Sequence, residues 1–322
     1  MSVHELAQSG PTLPQIPIGS WIESVVDWVN NNLGPLLDGI GSAITTCVDG
    51  LSSALQFVPW PVMILVFVGI GWWLRTWKFA IFAAIGPLLI VSMRLWDQAM
   101  NTLALIIVAG AIALILAIPI GIAAGQSALV SRIAKPVLDL MQTMPAFVYL
   151  IPAVILFRLG VVPGVVATVI FAMPPGVRLT ELGVRQVDRE VVEAGEAFGA
   201  SPWKVLSRIK LPLALGTIMA GVNQVIMLAL SMVVIAGMLS APGLGQSVVS
   251  ALSQVEVGAG FQAGLAVVIL AIFLDRVTAA LGERAAPAKK LERRLRAAKR
   301  RAARTSGSGT AKAGEARVGA DA

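Results

Sequence analysis

Eleven charged residues fall between Arg178 and Lys210: Arg178, Glu181, Arg185, Asp188, Arg189, Glu190, Glu193, Glu196, Lys204, Arg208 and Lys210. At about 2.5–3.5 kcal/mol for each such residue at a bilayer centre, burying them in lipid would cost roughly 30 kcal/mol. The stretch belongs in water, although apolar runs flank it on both sides. Inside it, Glu193, Ala194 and Gly199 precede Ile209, Leu211 and Pro212. Carboxylates and apolar side chains alternate along it at spacings that suit short amphipathic helices in water. A second set of groups lies within the apolar runs: Gln142, Thr143, Tyr149, Asn223, Gln224, Met227 and Ser231. Asn223, Met227 and Ser231 stand at i, i+4 and i+8, so the spacing predicts one polar, soft face on a helix. Polar groups at membrane depth face the bundle interior or a water-filled cavity. Two readings are open: hydrogen bonds between helices, worth about 0.6 kcal/mol each, or the lining of a path for a polar solute.

Bond-breaking chemistry finds little material. There is one His (His4) and one Cys (Cys47), so one chain offers no disulfide and no Cys/His metal site. No GxxxxGK[ST] loop occurs, so ATP is not expected to be bound by this chain. Aromatic residues are 6% of the chain, with many of the Trp near span ends, which leaves no aromatic cage for a quaternary ammonium.

The elements that must hold the charged stretch can be read from its punctuation. Asp188 is placed to cap a short helix carrying Val191, Val192, Ala194 and Phe198. Gly199 ends that helix. Ser201 and Pro202 restart one, with an N-cap hydroxyl and a proline at the first helical position. Trp203, Leu206 and Ile209 form its apolar stripe, and Pro212 is expected to stop it. The pattern predicts two short amphipathic helices around a tight turn.

Around this knob the chain reads as an all-α polytopic membrane protein. Hydrophobic residues are 57%, charged residues 13%, and mean hydropathy is +0.81. A soluble domain carries about 25% charged residues. The net charge of +7 is a matter of topology here, and nucleic acid is not an expected partner. About seven spans are expected, over 57–74, 79–95, 102–124, 138–157, 162–177, 213–239 and 261–281, with an outer loop over 240–260. The first two are short and could instead form a shallow hairpin. Pro119 is a candidate kink, and Gly121-x-x-x-Gly125 a close-packing face. Before the spans, residues 1–19 are proline-rich and polar, without the basic start of a signal peptide. Ser20-Trp21-Ile22-Glu23 reads as a capping box. Two amphipathic helices follow, one from Trp21 to Val29 and one after Pro35, lying at the bilayer interface or against the protein's own spans. The organisation is thus 1–56 interfacial, 57–97 two scaffold spans, 98–282 a core containing the loop 188–212, and 283–322 a basic tail that attracts anionic lipid.

Charge sets the expected orientation. The first Lys or Arg in the chain is Arg75, and Glu5, Glu23, Asp27, Asp38 and Asp49 precede it. With the N-terminus outside and the C-terminus in the cytoplasm, 23 of the 25 basic residues are cytoplasmic, Arg94 and Arg158 being the exceptions.

Glu193-Ala194, Gly199 and Ile209-x-Leu211-Pro212 resemble the EAA loop of permease subunits of ABC importers. Gly195 departs from that pattern, standing where a second alanine is usual, and is expected to loosen the helix by about 1 kcal/mol. The blocks over 141–157, 162–187, 211–239 and 260–282 resemble, more narrowly, the permeases of osmoregulatory glycine betaine/proline betaine importers. The resemblance implies a type I ABC importer transmembrane domain in a prokaryotic plasma membrane. It also implies a permease homodimer, an ATP-binding subunit that holds ATP and Mg and grips the loop, and a separate extracytoplasmic substrate-binding protein. A permease for choline, carnitine or another quaternary amine is the alternative within the class. A channel without an ATPase is the alternative outside it, and leaves the loop unexplained.

Overall fold

The computed structural model describes residues 17–285, and every described element is helical. The proline-rich start and nearly all of the basic tail lie outside the described residues. The helices in chain order are α1 (Ile18–Phe57), α2 (Trp60–Leu74), α3 (Trp77–Ser92), α4 (Trp96–Gln126), α5 (Ala128–Thr143), α6 (Ala146–Phe157) and α7 (Val161–Arg185). There follow α8 (Arg189–Ala197), α9 (Pro202–Val205), α10 (Leu211–Ala236), α11 (Leu244–Ser253) and α12 (Val257–Ala285).

Four helical stretches are long and apolar enough to cross a membrane: α4, α7, the run Pro202–Leu239 and α12. Two bent pairs, α1 with α2 and α5 with α6, could each supply one more, which makes six. The helix α3, at 16 residues, is shorter than these. Several expected boundaries move. The segment 138–157 is not one straight helix but breaks at Met144–Pro145 with a bend of 100°. The cause is local: the residue before a proline is pushed to extended backbone, and Met144 takes φ −70°, ψ 135°. The expected outer loop contains α11, whose first amide (Leu244) donates to the buried Thr102 hydroxyl of α4 at 2.8 Å. The two expected N-terminal helices are one helix of 40 residues that runs through Pro35. Ser20 lies inside it, its hydroxyl donating to Pro17 O at 2.9 Å, so it is not a cap.

Two apolar clusters hold the bundle. In one, Ile44 and Val48 of α1 pack with Leu105 and Ile106 of α4, Val165 and Val169 of α7, and Val225 and Val233 of α10. In the other, Met63 and Phe67 of α2 and Ile90 of α3 pack with Met100 of α4, Leu244 of α11 and Phe273 of α12. Between α4 and α7 the backbones touch through small residues, as membrane helices do when lipid is as apolar as their side chains. A Cβ at Gly121 would meet Val177 O at 2.7 Å, and one at Gly125 would meet Val184 Cβ at 2.8 Å. The expected glycine face is therefore the α4–α7 seam.

Candidate functional site

The charged stretch divides differently from its expected form. Arg178, Glu181 and Arg185 belong to α7, which continues eight residues past the expected end at Val177. The helix can continue because these charges find partners. Ser131 Oγ of α5 donates to Glu181 Oε1 at 2.7 Å, and Arg185 Nε lies 3.0 Å from the same oxygen. Arg185 also donates to the α4 carbonyl of Ala124 at 2.8 Å. Glu181 itself is buried, so three helices are tied at one carboxylate.

The elbow proper begins at Asp188, whose side chain caps α8 by accepting from Glu190 N at 3.0 Å. At the other end, Gly199 takes φ +79°, a left-handed value that glycine adopts without a Cβ penalty. Gly199 N donates to Glu196 O at 2.9 Å and Ala200 N to Gly195 O at 3.1 Å, which together satisfy the last carbonyls of α8. Ser201 then precedes Pro202 as expected, but its hydroxyl makes no cap bond.

Pro212 does not stop the second helix. The chain passes from α9 through a π-helical turn, Leu206–Lys210, directly into α10, and Pro212 sits at the second position of that helix. The helix continues through that position because the π-helical turn just before it widens the ladder, Leu211 N donating to Leu206 O five residues back. The second limb of the elbow is thus the foot of a continuous span, Pro202–Leu239.

This geometry sorts the residues into two roles. Val205 and Leu206 are buried, and Leu211 packs with Val187 against Val184, Ala214 and Ile218. Ile209 is half-buried against α8: a Cβ at Gly195 would collide with Ile209 Cδ1. The departure at Gly195 is therefore a close approach of the two limbs, not a loosening alone. Glu193, Ala194 and Gly199 are exposed, alongside Val191, Phe198 and Trp203. Phe198 is 92% exposed and Trp203 71%, so the elbow presents two large apolar side chains amid acidic ones. Ile209, Leu211 and Pro212 root the elbow; Glu193, Ala194, Phe198 and Trp203 form its outer surface.

The polar groups of the spans do not share one face. Gln224, Met227 and Ser231 are exposed along α10 at i, i+3 and i+7, and Ser231 Oγ donates to Met227 O at 3.1 Å. Asn223 points instead to α12. Its amide donates to Asp275 Oδ1 at 3.0 Å, and the Thr278 hydroxyl donates to its carbonyl oxygen. The expected grouping of Asn223 with Met227 and Ser231 fails because Asp275 and Thr278, 52 and 55 residues away in sequence, claim the amide. Gln142 and Thr143 are exposed at the end of α5, and Thr143 bonds back to Leu140 O at 3.2 Å. Tyr149 is buried in α6, its hydroxyl donating to Met141 O at 2.6 Å across the 100° bend. Sequence reasoning missed the Glu181 junction and the ion pair of Arg178 with Asp139.

The elbow is rooted in two apolar spans and leaves its outer surface exposed at one end of a helical bundle, the architecture of a polytopic membrane subunit. Residues 117–287 match the family described as the inner membrane component of binding-protein-dependent transport systems, and the chain belongs to that family. It is similar to the glycine betaine transport system permease protein OpuAB of Bacillus subtilis, 50% identical over 83% of this chain and 94% of that protein. The glycine betaine/carnitine transport permease protein GbuB of Listeria monocytogenes is 48% identical over 85% of this chain and 99% of that protein. The glycine betaine/proline betaine permease ProW of Escherichia coli is 44% identical over 83% of this chain and 75% of that protein. Among solved structures, an inward-facing form of the MetNI methionine ABC transporter matches with a TM-score of 0.55 and 18% identity, over 62% of this chain and 96% of the matched chain. The chain is the permease subunit of an ABC importer, a multi-pass protein of the inner membrane. Its fold is the transmembrane domain of that class.

Proposed function

We propose that this permease imports glycine betaine and related betaines. The observation that carries the reading is the family match of the core together with 44–50% identity, over most of the chain, to permeases named for those solutes. The exposed elbow 188–212 then faces the cytoplasm and docks on an ATP-binding subunit, which holds ATP and Mg. Two copies of the permease enclose the path, and a separate extracytoplasmic binding protein delivers the solute. The N-terminus lies outside and the C-terminus inside, with the basic tail near anionic lipid, as the distribution of Lys and Arg supports. The domain division follows: an interfacial α1, scaffold helices α2 and α3, and a core from α4 to α12.

On this reading ATP binding draws the two ATPase subunits together and carries the elbows with them. Because α9 is continuous with α10 and α8 follows directly on α7, both spans move when the elbow moves. Gln142, Thr143, Gln224, Met227 and Ser231 line the path, while Asn223 and Tyr149 hold its wall through the hydrogen bonds above. The binding protein supplies most of the selectivity, since aromatics for a cation cage are scarce.

The names of the relatives favour a second substrate in the same class, carnitine, through the Listeria protein. The test is uptake of radiolabelled glycine betaine into proteoliposomes holding this permease, its ATPase and its binding protein, with ATP supplied on the ATPase side. Uptake outcompeted by proline betaine more than by carnitine or choline is the expected result. No ATP-dependent uptake of any betaine would overturn the reading.

A further inference from the structure

The helix α5 divides its surface three ways. Ser131 and Leu138 are buried, Ser131 at Glu181 and Leu138 against Ala117 and Val177. Leu129, Ile133, Val137 and Leu140 form an exposed apolar flank. Arg132, Lys135, Asp139 and Gln142, at i, i+3, i+7 and i+10, form an exposed polar flank on the other side. An exposed apolar stripe suits lipid or a second copy, whereas an exposed charged stripe needs water. The helix is therefore a wall between the two, with its charged flank toward water.

On that flank Asp139 is ion-paired with Arg178 of α7. Arg178 lies seven residues before the end of α7 at Arg185, about 10 Å along the axis. Its neighbours Val177, Thr180 and Glu181 are buried, so Arg178 is a charged outlier on a mostly buried helix. The pair stays open to its surroundings, with the two side chains 42% and 63% exposed. An ion pair this exposed contributes little as a strut. It does present one guanidinium and one carboxylate side by side in water, next to Gln142.

We propose that Arg178 and Asp139 form a binding site for a zwitterionic solute at the inner end of the pathway, Arg178 taking the solute carboxylate and Asp139 its quaternary ammonium. This rests on the betaine reading above and adds the residues that handle the solute in the membrane domain. A zwitterion can enter the pair and leave neither protein charge unpartnered. A simple anion would strand Asp139, and a simple cation would strand Arg178. The guanidinium offers a planar fork for a carboxylate, which a lysine does not. Lys135 and Arg132, one and two turns away on the same flank, bias the approach of the carboxylate end.

The test uses the full importer in proteoliposomes, with radiolabelled glycine betaine uptake and binding-protein-stimulated ATP hydrolysis read together. The swap Asp139→Arg with Arg178→Asp keeps an ion pair but exchanges its ends. It is expected to lower uptake at least tenfold while stimulated hydrolysis stays within about twofold of the unaltered importer. Asp139→Glu, which keeps the charge, is expected to transport within about threefold. Uptake restored in the swap would show a mere strut and overturn the proposal. Should the swapped chain fail to assemble, Asp139→Asn with Arg178→Gln decides in its place. Unaltered uptake then overturns the proposal, and a tenfold loss with hydrolysis intact supports it. If the unaltered importer takes up no betaine, the substrate reading falls first; if it and the swap both take it up, only this inference falls.

Discussion

Gly195 of α8 and Ile209 at the foot of α10 lie so close that a Cβ on the glycine would collide with the isoleucine Cδ1. The contact locks the two limbs of the elbow into one body. Alanine at 195 sets two small terms against each other. It gains about 1 kcal/mol of helix propensity, and it turns Ile209 off its rotamer at about 0.5–1.5 kcal/mol. Gly195→Ala is thus expected to leave thermal stability and uptake nearly unchanged. Gly195→Leu has no such escape and should cost about 1–3 kcal/mol by overpacking. Uptake should fall with it and recover when Ile209→Ala is added, a coupling that a double-mutant cycle reads directly. Independent, additive effects of the two substitutions would show that the limbs do not touch.

The turn at Gly199 gives a second expectation. Its φ of +79° costs a residue with a side chain about 1–2 kcal/mol, and a charge there also alters the exposed surface. Gly199→Asp, and separately Glu193→Lys on the exposed face of α8, should abolish uptake while membrane levels of the protein stay normal. Full uptake in both would remove the elbow as the docking point.

The outer surface can be separated from the root. Phe198→Ser and Trp203→Ser remove exposed apolar area only, so the permease should keep its thermal stability and lose co-purification of its ATP-binding subunit. Leu206→Ser, at a buried position, should instead lower stability by about 2 kcal/mol or more. Equal loss of stability in all three would erase the distinction between surface and root.

The buried carboxylate of Glu181 supports a third contrast. Glu181→Ala takes the acceptor from Ser131 and the carboxylate from Arg185, which is 41% exposed and keeps its bond to Ala124 O, so the cost is that of a buried hydrogen bond left unmade, about 1–3 kcal/mol. The detergent-solubilised protein should melt markedly lower. Asp139→Asn, which breaks only an exposed pair, should not change the melting temperature.

In the path, Ser231→Leu places a branched apolar group on the exposed face shared with Gln224 and Met227. Uptake should be blocked with assembly intact. Asn223→Leu should behave otherwise: it removes the amide that joins Asp275 and Thr278 to α10, leaving those two only partners on their own helix, so it should destabilise the α10–α12 contact. Normal transport and normal stability in both would place neither residue where the structure suggests.

How much of this was legible in the chain depends on the range of the interaction. The caps at Asp188 and Gly199 were readable because each is set within a few residues, by a side-chain acceptor and a left-handed turn. The Gly121/Gly125 seam was readable from spacing alone, though its partner α7 was not. Pro212 misled because proline ordinarily stops a helix interior, whereas here the π-turn at Leu206–Lys210 takes up the break in the ladder and the helix continues. The break at Pro145 carried a local signal, the bias on Met144, which the length of the apolar run concealed. The turning of Asn223 toward α12, and the length of α7 beyond Val177, depended on partners 39 or more residues away, and spacing on one helix says nothing of those.

The central claim is that the elbow 188–212 is gripped by an ATPase on the inner side of the membrane. Its most direct test is a single cysteine at Phe198, with Cys47 replaced by serine, probed with a membrane-impermeant thiol reagent. Labelling is expected in inside-out vesicles, blocked when the ATP-binding subunit is present, and absent in right-side-out cells. Labelling from the outside, or labelling indifferent to the ATPase, would contradict the account.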